Sequence, residues 1–104
     1  MNGGDVRVYD ALDQPRSTRE ITTVLRQKLQ TAWGEEHGIE IEFNERGMPT
    51  EMFVPMLTLS WANARGYPYL NAQAVYRHLK RLEKQGKAWR IQVPGHRPML
   101  WTSA

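Results

Sequence analysis

The stretch Asn71-Ala-Gln-Ala-Val75-Tyr-Arg-His-Leu79-Lys-Arg-Leu82-Glu-Lys-Gln-Gly86, continuing through Lys87-Ala-Trp89-Arg-Ile91-Gln-Val93 to Met99-Leu-Trp101, decides the fold. Asn71 can accept from a free N–H of the first turn, so it predicts a helix start. Gly86 predicts the stop. Between them, over 72–85, the helical period gathers Val75, Leu79 and Leu82 on one side, with His78 at the margin. The opposite side carries Gln73, Arg77, Lys80 and Lys84, flanked by Tyr76 and Arg81. Residues 88–102 then read as a β-hairpin. Trp89, Ile91 and Val93 alternate with polar residues up to a Pro94-Gly-His96-Arg97-Pro turn, and Met99 and Trp101 return. Pairing Val93 with Met99 and Ile91 with Trp101 would put the apolar residues on one face.

Upstream, Pro55 suits the first position of a helix over 55–65, with Met56, Leu57, Ser60, Trp61 and Ala64 on one face and Gly66 to close it. Ser17-Thr-Arg-Glu20 is a capping box. The apolar stripe Ile21, Val24, Leu25, Leu29, Ala32, Trp33 follows it, so a helix is expected over 18–33 with Gly34 as its stop. The segment 35–54 between these helices reads as strand and turn. Ile39 to Phe43 alternates as a strand, Asn44-Glu-Arg-Gly47 is turn material, and Met48 to Val54 can return as an edge strand because of Pro49. Asp5 to Gln14 suggests a short helix with Val6, Tyr9 and Leu12 on one side, ended by Pro15, although Val6 and Val8 also fit a strand.

The chain has 104 residues, one domain's worth. It is 40% hydrophobic and 24% charged, and four Trp, four Tyr and two Phe supply core material, which excludes disorder throughout. The expected class is α+β. The net charge of +3 conceals an asymmetry: residues 1–64 hold six basic and ten acidic side chains, residues 65–104 eight and one, so −4 is followed by +7. A basic segment in a small domain is a nucleic-acid footprint, or a solvated face. Six Glu fall within 35–51 with Arg46 as the one basic residue there. With no Cys, disulfides, thiol catalysis, iron–sulfur clusters and Cys-based zinc sites are excluded. His37, His78 and His96 lack metal-ligand spacing, and no phosphate-binding glycine loop occurs, so neither catalysis nor a cofactor is expected. No apolar run has signal-peptide or membrane-spanning length, so a cytoplasmic protein is the expectation.

The residues Ala62-Asn-Ala-Arg-Gly66 and Asn71 to Arg90, with Val75-Tyr-Arg-x-Leu79-x-x-Leu82-x-x-x-Gly86 ending a helix and entering a hairpin, resemble a winged helix-turn-helix domain, as in bacterial MarR-like and PadR-like regulators. The resemblance covers about 57–101. Two registers are open. In one, the helix over 55–65 precedes the recognition helix over 72–85. In the other, the helix beginning at Ser17 is the first of the motif and residues 34–70 are an insertion.

The resemblance implies double-stranded DNA as partner, with the recognition helix in the major groove and the hairpin as the wing near the minor groove. Gln73, Tyr76, Arg77 and Lys80 would reach the bases, with Asn71 at the helix start. Arg81, Lys84 and Lys87 suit phosphates, and His96 and Arg97 suit the minor groove. Transcription regulation, repression for instance, by a homodimer is the leading expectation, with the helix over 18–33 and Met48 to Met56 as dimer surfaces. The alternatives are a protein-interaction module that docks a basic partner on 35–51, and a plasmid or phage replication or excision factor.

Overall fold

Helices α1 (Gly3–Asp10), α2 (Thr18–His37) and α3 (Ala72–Lys84) precede an antiparallel hairpin of β1 (Ala88–Ile91) and β2 (Leu100–Ser103). The computed structural model describes residues 3–46, 61–62, 64–66, 71–95 and 98–103.

The starts of α2 and α3 follow from their caps. Ser17 Oγ accepts from the Glu20 amide at 3.2 Å while the Ser17 amide donates to Glu20 Oε1 at 3.0 Å, closing the capping box. Asn71 Oδ1 accepts from the Ala74 amide at 2.8 Å. The end of α2 differs from expectation. The helix runs through Gly34 to His37 and closes at Gly38, whose φ of 70° is the left-handed conformation glycine adopts without strain. Gly34 is buried inside the helix because the chain turns back over it. A Cβ there would collide with the Ile39 carbonyl oxygen and lie 3.1 Å from Ile41 Cγ1.

α1 spans fewer residues than expected, and its inward face is different. Val8, Ala11 and Leu12 are buried together with Asp5, while Val6 is 40% exposed. A charged residue takes an inward position that the apolar pattern assigns to Val6. Its partners on α3 explain this, as described below.

The core joins all three helices to the hairpin. Val8 and Leu12, Ile21 and Leu25, Val75, Leu79 and Leu82, and Trp101 are each no more than 1% exposed. At about 1.5–3 kcal/mol for each large apolar side chain removed from water, this cluster supplies the main drive to fold. A smaller cluster of Leu29 and Ala62, with Trp61 against it, lies further along α2.

The hairpin forms where expected, but its strands stop short of the expected Val93–Met99 pair and are one residue out of the expected register. Arg90 faces Trp101 and Ile91 faces Leu100. A one-residue slip exchanges the faces of a strand. Ala88 and Trp101 therefore point into the core, and Trp89 is 58% exposed. Arg16 sets this arrangement. Its amide donates to the Trp101 carbonyl at 3.0 Å and its carbonyl accepts from the Trp101 amide at 2.7 Å, so β2 lies between β1 and Arg16, two residues before α2. The Trp101 ring N–H also donates to Thr18 Oγ1 at 3.2 Å.

The expected strand over 39–43 is not a ladder: residues 39–42 belong to no regular element, and Phe43 makes a single bridge. The Asn44 turn does form, with Asn44 Oδ1 accepting from the Arg46 amide at 2.9 Å. The return strand over 48–54 and the first part of the helix over 55–65 lie outside the described residues. Trp61, Ala62 and Ala64 are helical.

Candidate nucleic-acid interface

α3 is amphipathic in the sense its sequence predicts. Val75, Leu79 and Leu82 are fully buried, and Gln73, Tyr76, Arg77, Lys80, Arg81 and Lys84 are all exposed. Lys87 is exposed just beyond its end. The core contacts of the first set orient the second set together toward solvent.

These side chains are not equivalent. Among the described residues, Arg77, Lys84 and Lys87 form no ion pair, so their charges are open to an external anion. Lys80 lies 3.6 Å from Glu83 with both side chains substantially exposed, an arrangement that holds little energy. Glu83, the one acid of 65–104, is gripped more tightly by Arg90, whose Nε and Nη2 donate to its two oxygens at 2.7 and 3.0 Å. The Arg90 hydrogen bonds, with the charges of Arg90 and Lys80, hold the Glu83 carboxyl below its usual range against the opposing effect of desolvation. The Arg90 guanidinium also lies 5.0 Å from the Trp101 ring centre. Arg81, although its side chain is 47% exposed, reaches back across the helix, where Nη1 donates to Asp5 Oδ1 at 3.1 Å.

Asn71 serves as the helix cap, so its carbonyl oxygen is already used. Tyr76 meets Trp101 edge-on at 6.1 Å, which braces an exposed ring beside the hairpin. A cleft of ≈ 450 Å³ opens there, between Tyr76, Met99 and Trp101 on one side and Thr18 and Arg19 at the start of α2 on the other. His96 and Arg97 lie outside the described residues.

Two contributors had no signal in the local pattern. Arg19 lies within the capping-box sequence, and it is the packing of α2 against α3 and β2 that makes it line the same cleft as Tyr76. Asp5 reaches α3 across more than seventy residues of chain, and no periodicity marks such a contact.

The acidic segment stands apart from α3 in its bonding. Glu35, Glu36, Glu40, Glu42 and Glu45 are exposed. Glu36 accepts from Arg65 Nη2 at 2.7 Å, and hydrogen bonding from Trp61 and then Arg65 holds its carboxyl below the usual range despite some desolvation. Among the described residues no group of three His, Cys, Asp or Glu could hold a metal ion, and no helix is long and apolar enough to cross a membrane. No family model, no curated protein and no solved structure matches this chain.

Proposed function

We propose that the chain is a sequence-specific double-stranded-DNA-binding protein of winged-helix type, acting as a small transcriptional regulator. The observation that carries this reading is the outward face of α3. There Gln73, Arg77, Lys80 and Lys84 share one exposed stripe, and two of its three cations, Arg77 and Lys84, have no acidic partner among the described residues. A major groove admits one α-helix. Gln and Arg can pair with base edges there, while Lys84 and Lys87 suit the flanking phosphates. The hairpin follows α3 directly, as a wing would.

The packing of α2 favours the register in which α2 is the first helix of the motif. Ile21 and Leu25 of α2 share the core with Val75 and Leu79 of α3, and residues 38–70 intervene between the two helices. A two-fold dimer would double the phosphate contacts. The exposed Glu35, Glu40, Glu42 and Glu45 favour a second reading, in which this segment docks a basic protein partner.

Selection of bound fragments from genomic DNA, followed by titration of a selected duplex, tests the proposal. The double variant Arg77→Glu/Lys80→Glu is expected to weaken binding strongly and to reduce the salt slope by about 0.9 for each phosphate left without its cation. Unchanged binding would remove α3 from the interface. No duplex affinity at about 100 mM salt, together with a stable protein partner that Glu40→Lys/Glu42→Lys no longer holds, would favour the second reading.

A further inference from the structure

Asp5 is the one acidic side chain among the buried residues described. Its side chain is 2% exposed and lies between α1 and α3. His78 Nδ1 donates to Asp5 Oδ1 at 2.6 Å, and Arg81 Nη1 donates to the same oxygen at 3.1 Å. The two donors stand three residues apart on α3, one turn of the helix, so a single carboxylate grips α3 at two heights. A buried charge is tolerated only when paired and hydrogen-bonded, and this one is both. Burial pushes the Asp5 carboxyl up, but the hydrogen bonds and charges of His78 and Arg81 outweigh it and hold the group below the ordinary carboxylate value.

The neighbouring cations are placed differently. Arg77 and Lys84 stand one turn to either side of Arg81 with no acidic partner among the described residues, whereas the half-exposed Arg81 meets a carboxylate that is itself 2% exposed. We infer that Asp5 is a positioning residue for the DNA-binding face: through His78 and Arg81 it sets the rotation of α3, and it withdraws Arg81 from the cations offered to phosphate. This inference rests on the DNA-binding reading above. It separates Arg81 from Lys84, which the sequence reading assigns together to phosphates.

Counterion release distinguishes this role from a merely structural one, because the slope of affinity against salt counts the cations that meet phosphate. The full-length chain and its variants are titrated into a labelled duplex of mixed sequence between about 50 and 200 mM salt. Lys84→Gln is expected to lower the slope by about 0.9, and Arg81→Gln to leave it unchanged. Asp5→Asn, which keeps the side chain's shape, is expected to raise the slope as Arg81 is released. An equal fall for Arg81→Gln and Lys84→Gln would overturn the inference, and that comparison decides it even if Asp5→Asn does not fold.

A second readout needs no DNA. If Arg81 stabilises the fold through Asp5, then Asp5→Asn and Asp5→Asn/Arg81→Gln unfold at the same midpoint. Additive losses would overturn the pairing. A wild-type chain with no salt-dependent duplex binding would overturn the DNA reading itself, and coincident midpoints would still leave the grip on α3 in place.

Discussion

The two ends of α2 are held in different ways. Its first half sends Ile21 and Leu25 into a core shared with α1, α3 and Trp101, where the large side chains are almost wholly out of water. Its second half has Leu29 at 7% exposure against Ala62 and Trp61, and then Glu36 reaching Arg65 in solvent. The ion pairs of the two regions differ as well: Asp5, between α1 and α3, is 2% exposed, whereas Glu36 is 46% exposed. The first end is stiffened by close packing around a buried charge, and that end carries α3. The second rests on a thin apolar contact and screened charges, and it carries the acidic segment.

Substitutions test this contrast directly. Leu79→Ala should cost about 2–5 kcal/mol in urea unfolding, and Leu29→Ala should fall at the low end of that range because its site is partly open. Equal losses would mean the two ends are packed alike. Gly34→Ala comes next. An exposed helical glycine gains about 1 kcal/mol on this change, but here the new Cβ meets backbone at Ile39, so a net loss of about 1–3 kcal/mol is expected by the same measurement. A gain would show that the segment over Gly34 yields. Asn71→Ala removes the cap of α3 and should cost about 1 kcal/mol.

The two carboxylates should also respond differently to pH. Desolvation raises Asp5, His78 and Arg81 lower it further, and the net value lies below 3.8. A carboxyl depressed in the folded state contributes stability that is present above its unfolded value and lost as pH falls through the folded one. Acid unfolding of the wild type should therefore steepen below pH 3.8, and Asp5→Asn should flatten that limb. Glu36→Gln should leave the limb unchanged, since solvent screens its pair. If the two variants flatten it alike, the enclosure of Asp5 has no energetic meaning.

Legibility in the sequence followed the range of the forces involved. Asn71, Ser17 and Glu20 act on their own first turns, and Val75, Leu79 and Leu82 act by local period, so α3 and the start of α2 could be read directly. Gly34 looked like a stop because its local signal is a stop, and packing from Ile39 and Ile41 overrides it. Alternation around Trp89 and Trp101 fits either of two registers. The observed register goes with contacts far away in the chain, the Arg16 backbone and the core around Trp101, and it exposes one tryptophan and encloses the other. The outward stripe of α3 was legible for the same reason as its inward one. What could not be read was that Arg81 belongs with Asp5, because that pairing depends on how α1 crosses α3.

The bridge between Arg16 and Trp101 also bears on synthesis. The largest fully buried side chain lies on the last strand, and its backbone partner on one side precedes it by 85 residues. A nascent chain that has emerged only through α3 lacks the tryptophan that fills the core between α1, α2 and α3. Contacts of such long sequence separation close slowly. Until β2 docks, the apolar faces that Trp101 covers have no partner from that strand, so its arrival is what closes the core.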